Sequence, residues 1–487
     1  MTADIEDQIR QGNRASQGHY TEQAIAAAAE VIRQVEADEL ETIRVVFPDQ
    51  HGILRGKTIT QRALASAFTS GIGMPSTLLL KDTAHKTVFP VWDGNVSIGD
   101  MPLAGAFDVI CAPDPMTFRR VPWSPHSAFL ISDLIHRTGD RIGFSSRNVL
   151  RQAEEQLDAS GFQAVFGLEV EFQLFERVDP ALGHAQATMP PTPVETRNIT
   201  QGWQYLTETR YGEAEAILDE LRRISEELGL APRTVEIEMG PSQFEFTFEP
   251  SGPMDQADRF ALFRTMVKEV SHAHGLHASF MAKPKLPNAA ANGWHIHQSL
   301  IRKSDNQNAF MPDEDGALTE TANRWIAGLL ENAAASCLMT TPTVNGYKRF
   351  APHQLAPNRI QWGTDNRGAM VRALLYPGDA ASRVENRVAD TAANPYFALA
   401  AQILSGLDGI NRDLQAPVAT DTPYHKDAPA LPASLIVAIE AFENSHLYSE
   451  KLSPDFVAYL SRIKRAEWDR YLMTVSEWEQ TEYFNLF

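Results

Sequence analysis

Four short segments carry polar or charged residues at every second position, and this alternation constrains the fold more than any other feature of the chain. Successive side chains of a β-strand point to opposite faces of its sheet, so each segment predicts a strand with one polar face. Between residues 168 and 174, Leu168, Val170 and Phe172 share one face, while Glu169 and Glu171 share the other. The chain is therefore predicted to contain amphipathic strands rich in ionisable groups.

The other three segments repeat this pattern with different chemistry. Glu238 precedes a Gly-Pro turn, and Glu245 follows the turn in a run that alternates with phenylalanines. In the third segment, His295 and His297 point the same way as Ser299. The fourth segment places three charged side chains on one face, namely Arg383, Glu385 and Arg387.

Taken singly, each polar row has a structural explanation, because an acid that alternates with apolar residues is usually the solvated face of a strand. Together the rows supply five carboxylates and an imidazole, which suit two hard divalent cations. Arginines in the same regions suit phosphate and carboxylate groups. The sequence has neither an HExxH zinc motif nor a GxxxxGK[ST] phosphate loop. Carboxylate-held Mg²⁺ beneath a nucleotide is the favoured interpretation.

Length and composition indicate more than one structural unit. The 487 residues, 43% of them hydrophobic, can bury a substantial core. We expect an α+β protein with a helical N-terminal extension over 1–39, a small β-rich domain over 40–124 and a large α/β domain over 125–487. A Pro- and Thr-rich loop over 177–201 is either a mobile insertion or a substrate-proximal loop. Long helices are predicted at 148–160, 213–228, 254–274, 318–339, 395–410 and 453–473.

Charge and targeting signals exclude several classes of function. A net charge of -19 argues against binding to nucleic acid or to an anionic membrane, which needs a clustered positive field. Cys111 and Cys337 are too few for a disulfide framework. The N-terminus is acidic where a signal peptide is basic, and no run approaches the roughly 18 apolar residues of a membrane span. We therefore expect a cytoplasmic protein.

The ordered motifs of the chain resemble those of the glutamine synthetase family. They are Glu169-Val-Glu171, Glu238-x-x-Pro-x-Gln-x-Glu245, Asn292-Gly-x-His-x-His297, Asn366-Arg367, Arg383-x-Glu385-x-Arg387 and Ala393-Asn-Pro-Tyr396. The resemblance runs from about residue 40 to the end. It implies an N-terminal β-grasp domain, a large glutamine-synthetase-type catalytic domain, and a homo-oligomer of stacked rings, such as a dodecamer, with sites between subunits.

The resemblance also implies a role for each polar side chain. One Mg²⁺ or Mn²⁺ ion would be held by Glu171, Glu238 and Glu245. The second, which touches the nucleotide phosphates, would be held by Glu169, His295 and Glu385. The groups that bind glutamate would be Arg349, Arg387, Asn292 and Gly293. The groups that face ATP or its phosphates would be His297, Ser299, Arg367, Arg372 and Arg383, with Arg349, Arg367 and Arg387 taking part in catalysis.

The implied reaction makes an amide from a carboxylate and an amine. A carboxylate is a poor acyl donor, so the γ-phosphate of ATP would first be transferred to the side chain of L-glutamate. The amine would then displace phosphate from γ-glutamyl phosphate. Metals and arginines would neutralise the charge that moves between oxygens.

The ammonium site of the family is the point at which this chain departs from the pattern. Glutamine synthetases hold ammonium with an aspartate in a Phe-Asp-Gly-Ser-Ser segment and with a glutamate on a flap. The corresponding segment here, over 71–78, contains no carboxylate, and Leu355 stands at the position of the glutamate. A small cation needs compensating negative charge, so a site built with Met74, Pro75 and Leu355 should favour a larger, less polar amine.

The choice of amine follows from its protonation. An alkylamine has a pKa of about 10 and must lose a proton before it attacks, whereas an arylamine is neutral at pH 7. The expected function is γ-glutamylamide synthesis from glutamate and an apolar aromatic or alkyl amine. The alternatives are a glutamine synthetase that uses ammonia, a polyamine or ethanolamine ligase, and a catalytically silent homologue. His85, His353 or an acid from elsewhere could serve as the base, and Leu355 could instead only pack the flap.

Overall fold

Two large sheets organise the chain in the computed structural model, which describes residues 2–94, 96–99, 101–179, 181–314, 316–351, 356–425 and 427–487. The helices are α1 (Thr2–Arg10), α2 (Asn13–Ser16), α3 (Glu22–Ala37), α4 (Leu64–Ser70), α5 (Ser146–Ala159), α6 (Glu208–Glu227), α7 (Pro253–Ala273), α8 (Glu320–Glu331), α9 (Ala333–Thr340), α10 (Pro395–Asn411), α11 (Leu435–Glu443), α12 (His446–Lys451), α13 (Pro454–Leu472) and α14 (Glu477–Tyr483).

The strands are short in the first third of the chain and longer around the polar segments. They are β1 (Thr42–Pro48), β2 (Leu54–Thr60), β3 (Ile72–Pro75), β4 (Ser97–Ile98), β5 (Met101–Pro102), β6 (Asp108–Pro113), β7 (Arg119–Arg120), β8 (Ser127–Ile135), β9 (Phe162–Arg177), β10 (Thr196–Asn198), β11 (Pro232–Ile237), β12 (Gln243–Phe248), β13 (Leu276–Ser279), β14 (Trp294–Arg302), β15 (Trp362–Thr364), β16 (Val371–Leu374) and β17 (Arg383–Asn386).

The first sheet has the order β2-β1-β8-β6-β3, with β7 also paired to β8. Strands β1 and β8 run parallel, and the other pairs are antiparallel. The sheet therefore continues past residue 124, at which the sequence places a domain boundary, because its central strand β8 begins at Ser127. Strand β8 is a mostly apolar segment, and every one of its residues except Asp133 is buried.

The second sheet carries the polar segments and has the order β11-β12-β9-β14-β17-β16-β15, with β10 and β13 also paired to β9. Its apolar face is built from aromatic residues. The Phe172 ring lies 5.3 Å from that of Phe280 and 5.8 Å from those of Phe246 and Phe263, the last on α7. Helix α7 thus covers one face, and the charged side chains are left on the other.

Six long helices are predicted, and five of them correspond to single helices of the structure, α5, α6, α7, α10 and α13. The segment 318–339 instead forms two helices, α8 and α9, which meet at Asn332. The Asn332 side chain donates to the Gly328 carbonyl and to Asp408 Oδ2 on α10, both at 3.0 Å. This contact with a distant helix has no counterpart in the local pattern. None of the helices described is long and apolar enough to cross a membrane.

A buried ion cluster joins the two sheets. Arg147 on α5 donates to Asp114 and Asp133 beside the first sheet, at 2.9 and 3.0 Å, and to Asp258 on α7 at 3.0 Å. The Tyr396 hydroxyl donates to the other oxygen of Asp258 at 2.6 Å. A buried arginine shared by three carboxylates, each with further partners, holds the helices beneath the second sheet in a fixed position.

Candidate active site

The register of the second sheet places the predicted ligands side by side. Glu245 on β12 is the direct partner of Glu171 on β9, and Glu169 on β9 is the partner of His295 on β14. Directly opposed residues have Cβ atoms roughly 4.5–5.5 Å apart and point to the same face. The His295 Nδ1 atom lies 3.0 Å from Glu169 Oε2 and 4.0 Å from Glu245 Oε2. The predicted side chains on these strands therefore converge.

The polar row continues onto the next two strands. His297 on β14 is opposite Glu385 on β17, and Glu385 is in turn opposite Arg372 on β16. Arg372 Nη1 donates to Glu385 Oε2 at 3.1 Å, and the Arg387 guanidinium forms an ion pair with the other oxygen of Glu385. Glu385 is fully buried between these two cations and His295, whose Nδ1 lies 3.7 Å from it.

Three overlapping groups of side chains could each hold a cation. In each group one ligand atom per residue lies within 4.8 Å of the others. The groups are Glu171 with Glu238 and Glu245, Glu169 with Glu245 and His295, and Glu169 with His297 and Glu385. The first is the trio expected for the first metal. The expected second trio is divided between the other two groups, since His297 rather than His295 accompanies Glu169 and Glu385.

The group formed by Glu171, Glu238 and Glu245 has more negative charge than its surroundings neutralise. Burial, and then the charge of Glu171, raises the pKa of Glu238 to about 8. Burial and the charges of Glu169 and Glu171 raise the pKa of Glu245 well above its usual value. Both shifts favour the protonated forms of Glu238 and Glu245, because like charges in a desolvated site disfavour ionisation. The shortage of positive charge fits a divalent cation coordinated by oxygen.

In the other half of the site, side chains of the protein neutralise the negative charges of Glu169 and Glu385. Burial acts to raise the pKa of Glu169, but hydrogen bonds with His295 and His297 outweigh burial and lower it. Burial likewise acts to raise the pKa of Glu385, and Arg387 and the imidazoles bring it below its usual value. These carboxylates are therefore ionised and already paired.

The hydrogen bonds of His297 define its tautomer. Arg383 Nε donates to His297 Nδ1 at 3.0 Å, so Nδ1 is the acceptor. A neutral imidazole carries one N–H, which must then be on Nε2 and donate to Glu169 Oε1 at 2.8 Å. Both nitrogens of His297 are thus committed. His295 makes no such contact with an arginine in the described part of the chain, and it is the better placed of the two to give a lone pair to a cation.

Arg349 and Gly293 form one end of the site. Arg349 is buried, and its Nη1 donates to the Val388 carbonyl at 2.9 Å. Arg349 Nε has no hydrogen-bond partner among the described residues. A Cβ on Gly293 would lie 3.0 Å from His295 Nε2, 3.1 Å from Arg349 Nη2 and 3.3 Å from Glu171 Oε1. Only glycine leaves this space open, and a guanidinium with unused donors borders it, as a substrate carboxylate would require.

The Asn292 side chain is fully engaged by other groups of the protein. Its amide donates to Gln173 Oε1 at 3.0 Å and to the Met281 carbonyl at 2.8 Å, and its oxygen accepts from Gln243. Gln243 also donates to Glu171 Oε2 at 3.2 Å. The structure therefore places Asn292 in a scaffold that holds the Gly293 amide, which donates to Glu171 Oε2 at 2.7 Å. Gln243 was recognisable as part of a motif but not as a support of Glu171.

The remaining predicted residues lie around the rim. Arg383 and Ser299 are partly buried, and Ser299 follows His297 on the same face of β14. Arg372 also donates to Asp365 Oδ1 at 2.6 Å. That hydrogen bond lowers the pKa of Asp365, and the charge of exposed Arg367 adds to the effect. Leu355 and His353 lie outside the described residues.

An aromatic loop at the mouth of the site has no counterpart among the predicted residues. Trp203, Tyr205 and Leu206 are exposed, and the loop is tied to the Glu238 region because Trp203 N donates to the Met239 carbonyl at 2.9 Å. Partial burial, and then the charges of Glu238 and Glu245, raise the pKa of Tyr205 to about 12. The signal in the sequence is two aromatic residues just after the Pro-rich loop. Strand β10, which lies just before the aromatic loop in the chain, pairs with β9 and so fixes where the loop begins.

Comparison with known proteins agrees with this architecture. The glutamine synthetase catalytic domain matches residues 144–483. The γ-glutamylanilide synthase of Acinetobacter sp. is 35% identical over 486 residues, which cover 96% of this chain and 97% of that protein. The glutamine synthetase of Pyrococcus abyssi is 31% identical over 464 residues, 91% of this chain and 96% of that one. A solved GmaS/ADP complex has a TM-score of 0.77 at 26% identity and covers 93% of this chain and 99% of that chain.

The second sheet and its helices are thus a catalytic domain of the glutamine synthetase type. The chain belongs to the glutamine synthetase family. The prediction drawn from the ordered motifs is confirmed, as is the prediction that the chain is a ligase.

Proposed function

We propose that this protein uses ATP to join the side-chain carboxylate of L-glutamate to a small organic amine, giving a γ-glutamylamide. The observation that carries the proposal is the convergence of Glu171, Glu245, His295 and Glu385 on one face of the sheet, with buried Arg349 at its end. A site rich in acids that needs cations, next to an arginine with unused donors, is suited to phosphoryl transfer onto a carboxylate.

Two divalent cations, Mg²⁺ or Mn²⁺, are part of the proposal. Glu171, Glu238 and Glu245 would hold the first, and Glu169, His295 and Glu385 the second. Bound there, the cations would neutralise the oxygens of the phosphates and of the reacting carboxylate. The raised pKa values of Glu238 and Glu245 support the first site, and the tautomer of His297 supports the choice of His295.

The arginines would position the two anionic substrates. Arg349 and Arg387 would bind glutamate, with Gly293 leaving room for its α-amino end and Asn292 holding Gly293 in place. Arg372 and Arg383, which already contact Glu385 and His297, would lie towards the phosphates together with exposed Arg367. His297 and Ser299 would lie beside ATP. Arg349, Arg367 and Arg387 would stabilise charge during transfer.

The reaction balances with these substrates alone. A glutamate side-chain oxygen attacks the γ-phosphorus of ATP, the bond to ADP breaks, and γ-glutamyl phosphate forms. The nitrogen of a neutral amine then attacks the acyl carbon, phosphate leaves, and the amine proton is lost to solvent or to a base. Because the first step only needs correct alignment and charge neutralisation, preorganised arginines and cations account for it without a nucleophile from the protein.

The amine is proposed to be apolar, aromatic or alkyl. The segment over 71–78 contains no carboxylate, and within it Met74 is buried in β3 while Pro75 is exposed. The exposed Trp203 and Tyr205 give the mouth of the site an apolar surface on which a ring could stack. One relative in the comparison is named for an anilide product. A glutamine synthetase that uses ammonia is the alternative function, and the panel of amines below distinguishes the two.

One observation favours a cationic amine such as a polyamine as the second candidate. Asp108 on β6 is opposite Pro75, and a Cβ on Gly73 would lie 2.9 Å from Asp108 Oδ2. Asp108 thus places a carboxylate beside the segment that lacks one. Its ion pair with Arg137, at 3.6 Å, reduces its capacity to hold a distal ammonium group.

The domain division and the assembly are also proposals. The proposed N-terminal extension over 1–39 includes helices α1 to α3, and the first sheet is proposed to be a β-grasp domain that begins at residue 40 and extends through β8. The catalytic domain would follow and continue to residue 487.

A homo-oligomer of stacked rings is supported by exposed apolar residues near the C-terminus, which another subunit could cover. They are Leu472, Met473, Val475, Trp478, Phe484, Leu486 and Phe487. Two buried free thiols, Cys111 and Cys337, are compatible with the proposed cytoplasmic location.

Phosphate release with ATP, Mg²⁺, glutamate and a panel of amines tests the proposal. Aniline and ethylamine should be the better acceptors, ammonium and putrescine the poorer ones, and mass spectrometry should detect the γ-glutamyl product. Fastest turnover with ammonium would identify a glutamine synthetase, and fastest turnover with putrescine would favour the role of Asp108. Absence of turnover with every amine, in a protein that binds ATP, would contradict the proposed activity.

A further inference from the structure

A cavity of about 360 Å³ lies between the first sheet and the catalytic domain. It is bordered by the loop after β1, the segment around Asp82, α7, β13 and α13, and none of the residues proposed for metal, ATP or glutamate lines it. Its volume is near the lower end of the range for small-molecule sites, roughly 300–1,000 Å³.

The cavity holds positive charge that the protein does not neutralise. Arg264 is buried, and its guanidinium donates to four backbone carbonyls, those of His51, Gly52, Thr391 and Ala393. Lys268, one turn further along α7, donates to the Ala278 carbonyl at 3.2 Å. Within the described ranges of the chain, no carboxylate forms an ion pair with Arg264 or Lys268. Burial lowers the pKa of Arg264 to about 10, against the opposing charges of Asp49 and Asp390, which lie near it without forming an ion pair. Two cations thus stand on one wall without an ion-pair partner among the described residues.

The other charged groups of the cavity do not supply one. Asp82, the acid that lines it, is already paired with Arg470. Lys464 is 2% exposed, and its ion-pair partner is Glu467, 3.6 Å away. Burial, followed by the nearby charge of Lys464, lowers the pKa of His51. The remaining ionisable groups that line the cavity are His85, His277 and Arg55, and Arg55 is paired with Asp49. Of the charged side chains that line the cavity, four are cationic, Arg55, Arg264, Lys268 and Lys464, and one, Asp82, is acidic, so the charge of the lining is net positive.

Much of the remaining wall is apolar, interrupted by the polar side chains of Gln50, Thr83, Ser279, Thr343, Thr391 and Asn394. Phe280, Leu338, Met339, Phe397 and Leu460 contribute side chains that are almost completely buried. An inorganic anion would satisfy the cations but leave this surface unfilled, and a neutral apolar molecule would leave the cations uncompensated. We propose that this cavity binds a small organic carboxylate with an apolar or aromatic body, as an effector site separate from the catalytic face.

Residues that line the cavity are hydrogen-bonded to residues at the proposed glutamate end of the catalytic site. Met281 lines the cavity, and its carbonyl accepts the hydrogen bond from Asn292 that helps to place Gly293. Arg264 donates to the carbonyls of Thr391 and Ala393. Asp390, the residue before Thr391, pairs with Gly293 in an isolated β-bridge. Occupancy should therefore change the affinity for glutamate. This second part of the proposal rests on the proposed function, whereas the binding itself does not.

Calorimetry on the full chain tests the binding without any assay of activity. Benzoate should bind to the wild-type protein, and the substitution Lys268→Met should weaken its binding at least tenfold. Lys268→Arg should largely restore it, and Lys303→Met, which removes a surface lysine outside the cavity, should leave it unchanged. Lys268 is exposed at the mouth of the cavity, so its replacement leaves the core intact.

Two further probes separate the sources of binding energy. Inorganic phosphate tests charge alone and benzyl alcohol tests the apolar wall alone, and both should bind at least tenfold more weakly than benzoate. Equal binding of either probe, no benzoate binding, or benzoate binding that Lys268→Met does not alter would each overturn the site. Binding without any change in the KM for glutamate would overturn only the coupling, and absence of turnover would leave the calorimetric result standing.

Discussion

Glu245 on β12 stands directly opposite Glu171 on β9, and both carboxylates are buried. Gln243 Nε2 and the Gly293 amide donate to Glu171, but no lysine or arginine in the described portion of the chain forms an ion pair with Glu245, and His295 Nδ1 lies 4.0 Å from it. Two acids in this arrangement need a proton or a metal between them. The predictions for the first metal site follow from this relationship.

Replacing Glu245 by Gln should separate its catalytic role from its cost in stability. The amide keeps the volume but removes one negative ligand, so kcat/KM should fall by about 100-fold or more. The metal-free protein should be at least as stable as the wild type, because a buried like charge has been removed. Thermal unfolding in EDTA and in Mg²⁺ would measure this, and the stabilisation by Mg²⁺ should be much reduced.

The matched control is Glu249→Gln, an exposed acid that closely follows β12 in the chain. It should change neither turnover nor the response to Mg²⁺. Undiminished activity of the Glu245 variant would remove this residue from the mechanism, and a loss of stability in EDTA would show that Glu245 is a structural partner instead.

The stabilisation by Mg²⁺ should grow as pH rises. The pKa of Glu238 is raised to about 8, whereas an unfolded glutamate has a pKa of about 4.3. The folded metal-free protein thus holds the extra proton, and the contribution of this group to stability is full below about pH 4.3 and is lost as pH rises through about 8. Metal must displace that proton, so it binds more tightly at high pH.

Melting temperatures in EDTA and in excess Mg²⁺, measured from about pH 6 to about pH 8.5, would check the sign. The difference between the two should widen with pH in the wild type and widen less steeply in a Glu238→Gln variant, in which Glu245 alone keeps a raised pKa for the metal to overcome. A difference that narrows with rising pH would be incompatible with protonated carboxylates at the first metal site.

The sequence was sufficient to predict which polar residues share a face of each strand, because side chains alternate along a strand with a period of two whatever the neighbouring strand is. Glu169 and Glu171 share a face for that reason alone. Which strand lies next to which is a long-range property. The pairing of β1 with β8, and hence the end of the first sheet, depends on residues about 85 positions apart, and no local pattern encodes it.

Details set by tertiary contacts were beyond the sequence for the same reason. The break at Asn332 depends on Asp408 in another helix, and the orientation of Asn292 depends on Gln173 and Met281. Trp203 adopts a positive φ of 71°, which lies outside the common conformations of a tryptophan. A periodicity argument describes strands and helices, so it could not place this loop beside Glu238.

Arg349→Lys should weaken glutamate binding more than it slows turnover. The guanidinium uses Nη1 on the Val388 carbonyl and keeps Nη2 beside Gly293, a geometry that a single ammonium group cannot reproduce. The KM for glutamate should rise at least tenfold. Arg359→Lys, whose guanidinium also donates to a backbone carbonyl, is the control and should leave KM unchanged. An unchanged KM in the Arg349 variant would exclude contact with glutamate.

Trp203→Ala should lower the efficiency of aromatic amines selectively. Stacking of an aromatic pair is worth about 0.5–1.5 kcal/mol, so kcat/KM for aniline should fall about 2- to 12-fold. The value for ethylamine should change less, and that for glutamate should remain the same. The comparison is made at saturating ATP with both amines. Equal losses for aniline and ethylamine would show that the loop shapes the site without touching the ring.

Leu355→Glu should shift the choice of amine towards cations. Leu355 lies outside the described residues, so this prediction rests on the sequence, which puts leucine where the family has an acidic residue. A carboxylate there would stabilise ammonium or putrescine and hold the proton that the amine must lose, while it would be desolvated unfavourably beside an aryl ring. The ratio of kcat/KM for ammonium to that for aniline should rise at least tenfold. Leu182→Glu, an exposed position in the Pro-rich loop, is the control for added charge and should leave the ratio unaltered. If the Leu355 variant remains folded and active and keeps the wild-type ratio, Leu355 only packs the flap. Amine selectivity must then come from other residues, and Trp203 and Asp108 are the next to replace.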